Sequence, residues 1–211
     1  MRELMPIHQV TEREADEVVE LFALAFYDDP TWSWAFRDPS ERLHQLRTMW
    51  SLSVHSAIPY GWVWKAEDGG AAALWVPPGC DELSTEDEER LQRLIDELPS
   101  QHAAEVRTLM AGFEAHHPRE EAHYYLSLLA THPDHRGLGK GMSLLRANLE
   151  RIDELGMPAY LESSNRANDR RYQQLGFVQI GQLAAPGDGP TVASMWRARC
   201  STFESAQLRA E

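Results

Sequence analysis

Cysteine is nearly absent from this chain. Its 211 residues hold two, Cys80 and Cys200, far apart and in no CxxC pair. A disulfide scaffold is therefore not expected, and a reduced, cytoplasmic setting fits better. Positive charge is also short: 20 Lys and Arg face 33 Asp and Glu, a formal net charge of −13. Phosphate backbones demand a basic face, so no nucleic-acid partner is expected. A cationic small substrate would be steered favourably by such a charge, although solubility alone also accounts for it. Plain apolar runs such as Leu21–Phe26 are far too short to span a bilayer, so no membrane partner is expected. MRELMPIHQV lacks the apolar h-region of a secretory signal. No internal repeat and no low-complexity tract is found.

What is present is ordinary for one globular domain, 1–211, long enough to bury a core. Met5–Val10 reads as a first strand, and Thr11 with Glu14 as a capping box before a helix whose apolar face is Val18, Leu21, Phe22 and Ala25. Pro30, in YDDPTW, forbids that helix from continuing. A second helix is predicted from about Pro39 to Ile58, followed by strands at Tyr60–Ala66 and Ala71–Val76 around the turn EDGG. Two helices follow in a stretch at about 84–117: the first is capped by Ser84 or Thr85 and broken by Pro99, and the second covers about Gln101–His116. Ala122–Thr131 reads as a central strand apolar on both faces. Then come a helix over about Gly139–Leu155, a strand at Ala159–Ser163, a short helix at Asn168–Leu175, and strands at Phe177–Leu183 and Thr191–Ala198. The β-α-β unit in the middle should be right-handed with parallel strands and the rest hairpins, which gives a mixed α/β sheet.

The segment HPDHRGLGKGMSLL, after that central strand, has the composition of a phosphate loop. Its spacing fails two templates. For a P-loop, Asp134 stands where the first glycine belongs and Gly141 where Ser or Thr should follow Lys140. For a dinucleotide fingerprint, Met142 stands where the third glycine belongs. What remains is R-x-x-G-x-G, Arg136, Gly139 and Gly141, between a buried strand and a helix start. Glycines let backbone N–H groups approach an anion, and the helix N-terminus adds partial positive charge. A glycine-rich turn with no ligand is the competing reading.

This loop, the strand before it, the parallel strand after it and the pattern Y-x-x-x-GF from Tyr172 to Phe177 together resemble the GNAT superfamily of N-acetyltransferases. The likeness is greatest to its puromycin N-acetyltransferase-like members, carried by AFYDDP, VWKAEDGGAAALWVPP, HPDHRGLGKG and PAYLESSNRANDRRYQQLGF. The resemblance implies the acyl-CoA N-acyltransferase fold: a mixed, mostly antiparallel sheet whose central parallel strands splay apart, flanked by helices. It implies acetyl-CoA as donor and no metal. Its pyrophosphate would lie on Arg136, Gly137, Leu138, Gly139, Lys140, Gly141 and Met142, held mainly by backbone amides. The pantetheine arm would pair with the strand at Leu129, Ala130 and Thr131, and Asn168 would touch the arm unless it merely caps its helix. Tyr172 matches the tyrosine that protonates the departing thiolate, or else is core under Phe177.

An acceptor amine must lose a proton before it attacks a thioester. His123 or Glu162 is placed to take it, each with an equally good structural role. The loop YDDPTWSWAF, with Tyr27, Asp28, Trp32 and Trp34, and Tyr125 on the central strand, offer an aromatic and acidic acceptor surface suited to a cationic amine. The same aromatics would also serve a helix junction. The paired helices from Ser84 to His117 would cover that pocket. The function expected is acetyl transfer to a primary amine of a small molecule by direct attack in a ternary complex, in a monomer or homodimer. A non-catalytic acyl-CoA sensor and a protein or peptide acetyltransferase are the alternatives. His116, His117, His123, His132 and His135 show no HExxH or paired ligand spacing, so no metal site is expected.

Overall fold

The computed structural model describes residues 6–200; the expectation for Met5 and the ends of the 1–211 domain lie outside them. The chain folds as β1 (Ile7–Gln9), α1 (Ala15–Phe26), α2 (Pro30–Ala35), α3 (Arg42–Ala57), β2 (Val63–Ala66), β3 (Ala71–Val76), α4 (Thr85–Asp96) and α5 (Ser100–His116). It continues through β4 (Tyr124–Thr131), α6 (Lys140–Glu154), β5 (Ala159–Ser163), α7 (Asp169–Gln173), β6 (Val178–Ala184) and β7 (Thr191–Arg197).

Local chemistry sets most of these boundaries. The Thr11 amide donates to Glu14 Oε2 at 3.1 Å, closing the expected box around a single 3-10 turn ahead of α1. Ser84 caps α4 by accepting from the Asp87 amide. Two expectations need correction. Pro30 does more than prevent α1 from continuing: it opens α2, at the first helical position, where its missing N–H costs nothing. Asp29 caps that helix, its Oδ1 accepting from the Thr31 and Trp32 amides at 2.9 and 3.3 Å. The next helix starts at Arg42 rather than near Pro39, because Asp38 Oδ1 holds the Ser40 amide at 2.9 Å in a side-chain turn.

The seven strands form one sheet in the order β1-β2-β3-β4-β5-β7-β6. Every neighbouring pair is antiparallel except β4 and β5, which run parallel and are joined by α6. Helices cover both faces. One core cluster gathers Phe22, Ala35, Leu46, Trp50, Ile95 and Leu109 from the first five helices. The other holds Trp75, Leu144, Leu145, Ile152 and Phe177 around α6. β3, in the middle, is buried at all six positions, as a strand covered on both sides must be. Its Trp75 is fully buried, and its Nε1 donates to Asn148 Oδ1 at 3.0 Å across to α6.

β4 departs from the expectation of a strand buried on both faces. Tyr124, Leu126, Leu128 and Ala130 are buried, and Tyr125, Ser127, Leu129 and Thr131 are only half-buried. The register with β3 jumps there: Trp75 faces Leu126 and Leu74 faces Leu128, so Ser127 is an extra, bulged residue. The bulge swaps the faces. Leu126 packs with the α6 cluster, while Leu128 and Ala130 pack with the helices opposite.

Candidate active site

β4 and β5 pair only over Tyr124–Leu126 and Ala159–Leu161. Beyond that point the two strands part, which leaves the β5-facing edge of β4 from Ser127 to Thr131 without a strand partner. The bulge at Ser127 marks the crotch of this fork. Two clefts open from it, and both are lined by Phe26, Asp29, Leu129, Asn165, Asn168 and Tyr172.

The first cleft, about 1470 Å³, runs along the open strand edge to the glycine loop. It brings together Leu129, Ala130, Thr131, Arg136, Gly137, Gly139, Lys140, Gly141, Met142 and Asn168, while the Leu138 side chain points to solvent, 68% exposed. Gly139 has φ +74°, a left-handed backbone that bends the chain into α6. Gly141 lies so near β4 that a Cβ there would meet Thr131 Oγ1 at 2.5 Å. No side chain caps α6. The amides of Lys140, Gly141 and Met142 therefore start a 15-residue helix with no helical acceptor, the arrangement that receives an anion. The loop's two cations are otherwise engaged. Lys140 Nζ sits 2.6 Å from Asp68 Oδ2, and Arg136 donates to the Ala25 carbonyl at 3.0 Å.

The second cleft, about 940 Å³, lies between β4, β5 and the helices. Trp32, Trp50, Phe113 and Leu91 wall it, with Trp32 edge-on to Trp50 at 4.9 Å between ring centroids. α2 is tied to the loop after β5 by Thr31 Oγ1 donating to the Ser164 carbonyl and Ser164 Oγ donating to Asp29 Oδ2, both at 2.9 Å. α4 and α5, the helical pair expected at about 84–117, contribute Leu91, Met110 and Phe113.

Glu162 points into this cleft from β5, with Tyr160 Oη donating to its Oε1 at 2.8 Å. Burial drives its pKa up from 4.5 to about 7, against the hydrogen bonds from Tyr125 and Tyr160 that favour the anion; Glu82 and Glu114 push in the same direction as burial. A carboxyl poised there exchanges a proton near neutral pH. Tyr172 joins both clefts. Burial, with Asp29 and Asp169 nearby, pushes its phenol above the ordinary value, so it stays protonated and able to donate. It also packs edge-on against Phe177 at 6.2 Å, so the core reading and the cleft reading hold together. Asn168 stands at the N-cap position of α7, but its side chain makes no capping bond; its Oδ1 accepts from Arg171 at 2.8 Å.

Other expected residues lie elsewhere. His123 lines neither cleft: its Nδ1 lies 2.7 Å from the Glu121 carbonyl oxygen, and its ring packs on His117, Tyr160 and Trp196. Tyr27 donates to the Pro39 carbonyl and stacks under Arg42, outside both clefts. Trp34 is buried against His102. Asp28 lines the first cleft, not the aromatic one. Trp32 and Tyr125 both line the aromatic cleft. Asp29, the other acid of the YDDPTWSWAF loop, is a buried cap whose pKa is raised by burial. One acid was missed. Glu82 reaches the aromatic cleft from the β3–α4 loop and accepts a hydrogen bond from Ser127 at the bulge. In CDELSTEDEER, acids are too frequent for one to stand out.

Comparison with known proteins agrees with this geometry. The model of the acetyltransferase (GNAT) family matches residues 15–177. An uncharacterized N-acetyltransferase of Schizosaccharomyces pombe is 24% identical over 184 residues, covering 82% of this chain and 74% of that protein. Among solved structures, a protein of Corynebacterium glutamicum described as histone acetyltransferase HPA2 and related acetyltransferase superposes with a TM-score of 0.67 at 23% identity, over 92% of this chain and 96% of that one. Arylalkylamine N-acetyltransferase 2 of Aedes aegypti gives 0.58 at 14% identity, over 92% and 98%.

Proposed function

The chain belongs to the acetyltransferase (GNAT) family, and from that premise we propose that it moves an acetyl group from acetyl-CoA to a primary amine of a small molecule, by direct attack in a ternary complex. The observation that carries this reading is the meeting of the two clefts at the β4–β5 fork, with Tyr172 shared by both and Glu162 on the aromatic side.

Acetyl-CoA supplies the acetyl group as a thioester and a thiolate as the leaving group. The amides of Lys140, Gly141 and Met142 would hold its pyrophosphate, and the open edge of β4 at Leu129–Thr131 would pair with its pantetheine amides as an added strand would. Asn168 and Tyr172 line the way to the fork. On the other side, Glu162 takes a proton from the acceptor ammonium, and the freed amine attacks. The new C–N bond replaces the C–S bond. The nitrogen sheds its second proton to solvent, and the thiolate takes the Tyr172 proton. Both side chains then return to their resting states by exchange with water. Trp32 and Tyr125 are the acceptor contacts this reading keeps from the sequence. The amphipathic walls under α4 and α5 favour a small molecule over a protein chain, which would need an open groove. Cys80 and Cys200 are both free thiols, in keeping with a cytoplasmic setting, and no helix among the described residues is long and apolar enough to cross a membrane.

The test is free-thiol release from acetyl-CoA across aminonucleosides, as puromycin-like members would take, together with polyamines, arylalkylamines, amino acids and peptides. Release with at least one small amine supports transfer. Binding of acetyl-CoA, seen as a raised melting temperature, with no release for any amine would instead identify an acyl-CoA sensor. Equal stabilisation by ATP would remove the coenzyme A reading of the loop.

A further inference from the structure

The aromatic cleft holds a charge pattern that goes beyond amine transfer in general. Its lining includes three carboxylates, Asp29, Glu82 and Glu162, and among the described residues that line it none is Lys, Arg or His. No salt bridge among the described residues reaches any of the three. Asp29 is spent on structure, with Oδ1 on the Thr31 and Trp32 amides and Oδ2 on Ser164. Glu82 and Glu162 differ from it. Glu82 accepts a side-chain hydrogen bond at Oε1 from Ser127, and Glu162 accepts one at Oε1 from Tyr160 and another from Tyr125; none of these partners carries a positive charge. Glu82, in the β3–α4 loop, is held against one arm of the fork, and Glu162 lies on the other. Ser127 is the bulge of β4, and Glu162 follows the last residue of β5 that pairs with β4.

A buried carboxylate without a counter-charge is costly. Burial raises the pKa of both groups, Glu114 adds to each, and Glu82 adds to Glu162, so each favours either a proton or an arriving cation. One ammonium between them satisfies both. The remaining wall is apolar and aromatic: Trp32, Trp50, Phe113, Leu91 and Met110. A ligand carboxylate or phosphate would find no cation there.

We infer that Glu82 is a recognition residue for the acceptor, holding its ammonium opposite Glu162, and that the cleft selects primary amines on an apolar, ring-sized body that bear no anionic group. This rests on the acetyl-transfer reading for the identity of the cleft, and it names the substrate class and a residue that selects it.

Three acceptors and two variants of Glu82 test it. Phenethylamine carries the ammonium and the ring, ethylamine lacks the ring, and phenylalanine adds a carboxylate. With the wild-type protein, kcat/KM for phenethylamine should exceed that for ethylamine by roughly ten-fold or more, from burial of the ring. It should exceed that for phenylalanine by more than about a hundred-fold, since an uncompensated buried carboxylate is rejected. Glu82→Gln keeps an acceptor for Ser127 and removes the charge. It should raise KM for phenethylamine by roughly ten- to a hundred-fold with little change in kcat. Calorimetric titration of phenethylamine into the CoA-loaded protein reads the same loss without turnover. Equal use of phenylalanine and phenethylamine, no binding of phenethylamine, or equal binding by wild type and Glu82→Gln overturns the inference while leaving transfer intact. Phenethylamine that binds in a Glu82-dependent way with no thiol release overturns transfer and leaves the recognition role standing. The wild-type comparisons decide the substrate class even if Glu82→Gln does not fold, and Glu82→Asp, which keeps the charge on a shorter arm, then reads the recognition role by the same calorimetric titration.

Discussion

Glu162→Gln should separate catalysis from stability in opposite directions. The side chain is pushed by burial from 4.5 to about 7. Its native pKa is therefore higher than its unfolded one, so the folded state binds the proton more tightly. The stability this adds is fully present below about pH 4.5 and is lost as pH rises to about 7. Each tenfold in proton affinity is worth about 1.4 kcal/mol, so the wild type gives up about 3 kcal/mol across that interval. Gln has the same shape, can still accept at Oε1 from Tyr160, and has no charge to bury. The variant should match the wild type near pH 4.5 and be more stable than it at pH 8 by up to about 3 kcal/mol. For a chain of this length that is about 6–12 °C in melting temperature. Over the same range it should lose about 10²- to 10⁴-fold in kcat, and the acid limb near pH 7 in the wild-type rate profile should vanish. Melting temperature against pH for the two proteins is the assay. A difference that stays flat from pH 5 to 8 would show that Glu162 is not held in its neutral form by its surroundings, and the base assignment would lose its footing.

Other changes probe the remaining parts. Tyr172→Phe keeps the edge-on contact with Phe177 and removes the donor; kcat should fall by about 10²-fold or more while the acetyl-CoA dissociation constant, read by calorimetry, stays put. An unchanged kcat would exclude Tyr172 as the acid. Gly141→Ala forces a Cβ against Thr131 Oγ1, so acetyl-CoA should bind more weakly and the melting temperature should drop; a neutral result would mean that α6 and β4 have slack at that contact. Asn148→Leu leaves the buried Trp75 N–H without its acceptor and should cost about 1–3 kcal/mol in denaturant unfolding.

Much of the fold was legible from residues near one another in sequence. Ser84 before three acids marks a helix start, Gly139 and Gly156 bound α6, and the failed P-loop and dinucleotide spacings left R-x-x-G-x-G as a glycine loop opening a helix. These signals are local because caps, left-handed glycines and free helix amides involve residues within one turn. The aromatic cleft was less legible. YDDPTWSWAF reads as a loop, and a loop gives no basis for separating Trp32 from Trp34. As a capped helix it does: two positions differ by about 200° around the axis, so Trp32 enters the cleft while Trp34 turns to His102. His123 looked equivalent to Glu162, yet its ring is held among His117, Tyr160 and Trp196, outside the cleft.

The sequence by itself determined the family's motifs, the order of elements apart from α2, and the glycine loop at the start of α6, since these depend on propensity, spacing and backbone freedom. Only the tertiary structure decided which acids share the aromatic cleft. The Ser127 bulge, the parting of β4 from β5 and the placing of Glu82 and Glu162 in one cleft join residues up to 80 positions apart. Burial by distant helices, which no local pattern encodes, sets the protonation of those carboxylates.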